Sequence, residues 1–387
     1  MRKTDLSVAR QRCLVRVRDH PNCWALVPPG TPRSLDLSQA SNEELRNAHE
    51  ALGALQAATM NLPNVDLITR TLGRREAVQS SGIEGTRTDL PGLLEYEATR
   101  GAEGGTADAR VVESYVSSLD VGLQTVHIYG RAGLTVELVK TLHQALMAGE
   151  PEGLMPGQFR DGQAWIGSDR IEDARFVPAP PDAVPRLMDE LATSMLRYVP
   201  AEDETVSISI ILQLALVHAQ FETIHPFFDG NGRVGRLLMP LMLAAEGHPP
   251  LYLSGYLLRH RQAYYDALAG VQLREDWDGW VGFLCRALVH SAKTSLAIAQ
   301  DLNEVHDAWM VDLRDLRSDS TARRLPRLLL GMPVISANQV AEQLKTSFPA
   351  ANEALKLLVE RKILEGPKRR RNRVFRAPRI LERLGRA

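Results

Sequence analysis

The stretch TVSISIILQLALVHAQFETI, residues 205–224, is apolar on nearly every face. A surface helix keeps one polar side, whereas a helix that is apolar all round must be enclosed by other elements. The stretch therefore predicts a buried central helix with the fold assembled around it. A chain of 387 residues can supply that enclosure and leaves length for two or three domains. The segment just after the apolar run is its opposite: HPFFDGNGRVGR, residues 225–236, gathers a histidine, an aspartate, three glycines, an asparagine and two arginines.

Helical periodicity recurs over most of the chain, at about 41–60, 63–82, 89–98, 110–127, 135–148, 182–197, 232–246, 259–271 and 277–300. Residues 1–35, with PPGTP near their end, read as an extended arm, and GAEGGTADA at 101–109 as a loop. One segment breaks the helical pattern. PGQFRDGQAWIGSDRIEDARFVPAPP, residues 156–181, is rich in Gly and Pro, and its short runs Ala164–Ile166 and Arg175–Val177 predict a β-hairpin. After a charged stretch at 301–330 the character changes. Residues 337–344 and 349–361 read as a helix-turn-helix, followed by two short strands around the basic turn GPKRRRN. The resulting division is an N-terminal helical region (1–109), a core (110–300), a linker helix (301–330) and a winged helix-turn-helix (331–387), in a mainly α protein.

Charge is balanced overall at −1, so the chain as a whole is no polyanion binder. It is not balanced locally. Residues 361–387 hold eleven Lys/Arg against two Asp/Glu, which predicts an arm that meets phosphate. Cys13, Cys23 and Cys285 are odd in number and widely spaced, fitting neither a disulfide framework nor a zinc knuckle. There is no signal-peptide core and no apolar run of about 18 residues. The expectation is a cytoplasmic protein without a membrane partner.

The 225–236 segment can be read residue by residue. Pro226 disfavours α geometry at His225, so the central helix should stop there. Gly230, Asn231 and Gly232 permit a tight turn, and a second helix should start near Arg233. A glycine turn at a helix N-terminus offers exposed N–H groups and the positive end of the helix dipole to an anion. Arg233 and Arg236, three apart, share a helix face and can bind one phosphate chain. Asp229 beside bound phosphates is placed to hold Mg²⁺, which needs few protein ligands when phosphates supply the rest. His225 could accept a proton from a nucleophile. Each part has a plainer reading: a capping histidine, a turn-forming Asp-Gly or Asn-Gly, a solvated arginine face. Their concentration in twelve positions after an apolar helix favours the chemical one. A di-iron reading of Glu222 and His225 as E-x-x-H lacks the second E-x-x-H that such a bundle needs.

HPFFDGNGRVGR resembles the pattern H-P-F-x-[DE]-G-N-G-R-x-x-R of the Fic (filamentation induced by cAMP) family at every fixed position. The similarity extends to VHAQFETIHPF as the family's central helix and to 156–181 as its target-positioning flap. HRQAYYDAL at 260–268 resembles the stretch that closes over adenine. Roughly 110–295 is covered. The resemblance implies a Fic-type helical core with a small β-hairpin flap, and transfer of AMP from ATP to a Ser, Thr or Tyr hydroxyl of a protein. It implies His225 as the base, Asp229 as the Mg²⁺ ligand, and Gly230, Asn231 and Gly232 as the anion hole, with Asn231 also on phosphate. Arg233 and Arg236 would take the β- and γ-phosphates, Phe227 would anchor the loop, and Tyr264 and Tyr265 would wall the adenine. Two neighbouring tyrosines are also ordinary packing residues.

A second motif, SSGIEGTR at 80–87, contains Ser80, Glu84 and Gly85 in the spacing S-x-x-x-E-G. By itself it is a helix C-terminus ended by glycine. Beside a Fic motif it resembles the family's inhibitory helix, which implies that Glu84 pairs with Arg236 and holds the site off. Some members with this glutamate also remove AMP. The 331–378 segment resembles a winged helix appended to Fic proteins, with Lys368, Arg369, Arg370, Arg371 and Arg373 as a wing for DNA phosphates and 349–361 as the reading helix. Docking of protein is the other reading of that module. Two further functions stay open: a nucleotide-sensing transcription regulator, and transfer of a different phosphate-containing group. The target protein, self-modification and a homodimer are likewise left open.

Overall fold

The computed structural model describes residues 1–99, 101, 107–148, 150, 152–202, 207–367 and 372–385. The described chain is mainly α, and its strands form two small antiparallel pairs. It divides into two compact units, each assembled from two stretches: 1–53 with 117–291, and 54–116 with 292–387. Consecutive sequence segments cannot express such a division.

In the first unit the central helix is Ile210–Ile224, and beyond its first turn it is wholly buried. It begins later than the apolar run because Ser209, in extended backbone, caps it by accepting the Leu212 N–H. Helices Val184–Leu191, Asn231–Ala245 and Arg261–Arg274 pack around it. Trp280, from helix Trp277–Asp312, donates its indole N–H to the Ala215 carbonyl at 2.8 Å. That helix runs twelve residues past its expected end, into the segment read as a linker.

The expected hairpin at 156–181 is reduced to one bridge, Ile166 with Phe176, closed by the Ile166 N–H on the Phe176 carbonyl at 2.9 Å. The N-terminal region is not an extended arm. It holds a short helix, Val8–Arg12, and an antiparallel hairpin, Leu14–Val17 with His20–Leu26. This hairpin adjoins the flap: the Leu26 N–H donates to the Val177 carbonyl, and Val17, Cys23 and Ala25 share a core with Ile171, Ala174 and Val177. Strands of four and seven residues are too short to alternate convincingly, which hid them in the sequence.

In the second unit, helices Val65–Ile83, Leu90–Thr99 and Thr321–Gly331 join the C-terminal elements. The expected helices at 337–344 and 349–361 are Ala337–Leu344, with a Ser336/Gln339 capping box, and Phe348–Glu360, capped by Ser347. Ile68, Trp309, Leu325, Leu355 and Phe375 belong to one core, so the C-terminal elements do not stand apart from helix Val65–Ile83. The strands differ from expectation. Val374–Arg376 pairs with Val334–Ser336, which precedes both helices, and the other flank of the basic turn contributes only a bridge from Glu365 to Arg376. Arg376 there forms an ion pair with Glu95.

Candidate functional site

The central helix ends as Pro226 demands. His225 adopts left-handed backbone (φ 51°, ψ 63°) as its C-cap, with its N–H still bonded to the Phe221 carbonyl at 2.9 Å. A residue with a Cβ holds this conformation at a cost, so its surroundings must over-determine it. Arg160 does so. Its Nε donates to the His225 carbonyl at 2.8 Å, and its backbone N–H donates to the Pro226 carbonyl at 3.0 Å.

The loop beyond is built inward. Phe227 is fully buried and stacks on His143 with ring centroids 3.7 Å apart and planes within 5°. Asn231 is 2% exposed and spends both ends of its amide on Phe227: Oδ1 accepts the Phe227 N–H at 2.9 Å and Nδ2 donates to its carbonyl at 2.8 Å. Its side chain therefore shapes the loop. His143 Nδ1 accepts the Gly157 N–H at 2.9 Å, which leaves the proton on Nε2 to donate to the Asp229 carbonyl at 3.1 Å. Burial holds the His143 pKa down at about 4, so the ring stays neutral and this tautomer is kept.

The following helix, Asn231–Ala245, starts two residues earlier than expected. Only Gly230 takes positive φ (75°); Asn231 and Gly232 are already helical. The positive φ of Gly230 strains any residue with a Cβ, and a Cβ there would also press on Met147 Sδ at 3.1 Å. Asp229 is exposed, with Oδ1 accepting the Gly230 N–H at 2.6 Å and Oδ2 3.4 Å from Arg233. Arg233 and Arg236 are buried, at 6% and 1% exposure. The Arg233 Nη2 lies 3.7 Å from Met147 Sδ, and its Nε has no hydrogen-bond partner among the described residues. A buried guanidinium with an unspent donor, at a helix N-terminus beside an exposed carboxylate, is an arrangement suited to an anion.

The tyrosines separate. Tyr264 is 1% exposed and its hydroxyl lies 2.7 Å from His218 Nε2, with its ring packed near Trp280 and Phe283, so in this structure it is a core residue. Tyr265 is half-buried, with Arg261 over its ring. Ser80, Glu84 and Gly85 lie in the second unit. Ser80 is buried, Glu84 is the exposed C-cap of helix Val65–Ile83, and Gly85 turns the chain at φ 97°. Of the basic residues expected to form a wing, Lys368, Arg369, Arg370 and Arg371 lie outside the described residues. Arg373 is exposed and donates to Asn352 Oδ1 at 2.7 Å. On the second helix, Lys356 pairs with Glu353, and Arg361 at its C-cap pairs with Asp315. His143 and Arg160 were not singled out in the sequence. Each lies far along the chain from the 225–231 turn that it braces, and no local pattern marks either.

The chain belongs to the Fic/DOC family. The family's domain profile matches residues 133–243, and the Fic/DOC N-terminal profile matches 42–124. Among curated proteins it is similar to the proteins named protein adenylyltransferase Fic of Drosophila melanogaster, 25% identical over 240 residues, and of Drosophila willistoni, 27% identical over 241. These matches take in 61% of this chain and only 43% and 41% of those relatives, so it spans less than half their length. Among solved structures, a Fic family protein from Desulfovibrio desulfuricans matches 89% of this chain and 98% of its own at a TM-score of 0.52 and 20% identity. Fic-1 of C. elegans matches 67% and 73% at 0.51 and 18%. At those identities the structures speak for the fold alone. Among the described residues no helix is long and apolar enough to cross a membrane.

Proposed function

We propose that this protein transfers AMP from ATP to a Ser, Thr or Tyr hydroxyl of a target protein. The observation that carries the reading is the turn itself. It presents His225 in left-handed backbone at one end and, six residues on, a helix start whose buried Arg233 has a donor to spare. In this reading His225 takes the proton of the target hydroxyl as its oxygen attacks the α-phosphorus. A P–O bond forms, the bond from the α-phosphorus to the bridging oxygen breaks, and pyrophosphate leaves. The N–H groups at 231 and 232 and Arg233 take the phosphate charge, with Arg236 assigned to the γ-phosphate by the motif. Asp229 fits Mg²⁺ as a single exposed carboxylate beside the phosphate site, the ion's remaining ligands coming from substrate and water. When bound, the ion would offset phosphate charge.

The S-x-x-x-E-G match assigns Glu84 to inhibition: its charge would compete with the γ-phosphate for Arg236. The test uses ATP labelled at the α-phosphate, with wild type, Glu84→Gly and Glu84→Gly/His225→Ala, on the purified protein and on host lysate. Label with Glu84→Gly alone is the expected result. Equal label from wild type removes the inhibitory role. No label from any variant, with ATP still bound, moves the function to nucleotide sensing. The same assay run with AMP-modified target would reveal AMP removal.

The four consecutive basic residues 368–371 support a second role in contacting DNA phosphates. Duplex binding should then weaken steeply as salt rises. Binding that ignores salt would refute it.

A further inference from the structure

Arg160 lies near the start of the 156–181 flap segment and outside the 225–236 motif. Its side chain is 2% exposed, and every described hydrogen bond it makes is to a backbone carbonyl. Three of its bonds go to consecutive residues of the turn: Nη2 to Ile224 at 3.4 Å, Nε to His225 at 2.8 Å, and its backbone N–H to Pro226 at 3.0 Å. The rest of the guanidinium reaches the two legs of the flap, Nη1 to the Gly162 carbonyl at 3.0 Å and Nη2 to the Ala179 carbonyl. Those legs bracket the Ile166–Phe176 bridge.

Burying a charge against carbonyl dipoles alone is a costly way to fill space, and a Met of similar length would do that more cheaply. What arginine adds is a rigid planar fork of donors with fixed angles between them. Here the fork ends on three pieces of backbone that share no sequence neighbourhood. It also meets the last carbonyls of the central helix, which lack intrahelical donors and carry the negative end of the helix dipole.

We propose that Arg160 is a positioning residue that fixes the flap relative to His225, so that a hydroxyl presented on the flap meets the base in line. This deepens the function proposed above and rests on it. Arg160 touches neither substrate nor reacting atoms. Its contribution is the distance between the element that presents the target and the residue that deprotonates it, where a displacement of about 1 Å costs about a hundredfold in rate.

The test uses the full chain carrying Glu84→Gly, alone and with Arg160→Met or Arg160→Lys. Three quantities are read: affinity for Mg-ATP, the transfer rate from α-labelled ATP, and the position of the His225 ring resonance in ¹³C-histidine spectra of ligand-free protein, assigned by its loss in His225→Ala. The expected result for Arg160→Met is a rate lowered about a hundredfold with ATP affinity within about twofold, together with a displaced His225 resonance. Arg160→Lys, which keeps the charge but not the fork, should regain less than about a tenth of the lost rate. A folded Arg160→Met with unchanged rate and resonance overturns the proposal, as does a parallel loss of ATP affinity and rate. If Arg160→Met does not fold, Arg160→Lys decides by the same readouts, and failure of both to fold assigns Arg160 a purely structural role and also overturns it. If Glu84→Gly transfers nothing, the adenylyl-transfer reading has failed, and the resonance alone then judges Arg160, an unmoved signal refuting it.

Discussion

Replacing Asn231 by Ala separates two roles for the same side chain. Carried over from the family motif, Asn231 contacts phosphate, and its loss should then be felt only when nucleotide is present. The structure instead has both ends of its amide bonded to the buried backbone of Phe227, at 2.9 and 2.8 Å. Asn231→Ala strands one buried N–H and one buried carbonyl. Each costs about 1–3 kcal/mol if left without a partner, so the ligand-free protein should lose about 2–6 kcal/mol, or the loop should open to water at some lower cost. Urea melts of the ligand-free protein measure the first outcome. Amide hydrogen exchange at Phe227 and Gly230 measures the second, with exchange faster by at least about tenfold for each 1.4 kcal/mol lost locally. A ligand-free variant with unchanged melt and unchanged exchange, but weakened ATP binding, would refute the staple and return Asn231 to the phosphate.

Two further outcomes concern the packing beneath the site. A Cβ on Gly235 would sit 2.9 Å from Glu222 Oε1 and 3.2 Å from His218 Cε1, where the Asn231–Ala245 helix crosses the central one. Gly235→Ala should cost about 1–3 kcal/mol through overpacking, seen as a melting temperature lower by several degrees, and an unchanged melt would show that the two helices can part freely. His218 is held neutral by burial, with its pKa down at about 4 against an ordinary 6.5. Between those values the unfolded chain binds a proton that the folded chain refuses, so stability is full above pH 6.5 and falls as pH drops towards 4, by about 3 kcal/mol. His218→Gln should flatten the pH dependence of the urea midpoint in that window by up to one proton's slope, and a slope equal to wild type would place the titration elsewhere.

Local sequence was enough for the parts that are themselves local. The apolar run at 205–224 could only be an enclosed helix, and it forms Ile210–Ile224. Pro226 could only end it, and His225 takes the left-handed cap. Gly230 alone of the three loop residues needed positive φ, which the sequence could not distinguish because all three permit a turn. The N-terminal hairpin was hidden for another reason. Leu14–Val17 and His20–Leu26 are short, and their stability comes from the flap residues they pack on, some 150 positions away.

The same division runs through the site. The sequence by itself determined which residues are candidates for charge and proton chemistry, because histidine, carboxylate, bendable backbone and arginines fall within one turn and one helix start. Only the tertiary structure decided what each is free to do. It committed the Asn231 amide to Phe227, sent Tyr264 into the core against His218, and left an Arg233 donor unspent. It also brought in His143 and Arg160, which hold the loop from 86 and 65 residues away. A hydrogen bond to a backbone carbonyl asks nothing of the residue that owns the carbonyl, so contacts of this kind leave no mark on the partner's sequence and become visible only when the chain has folded.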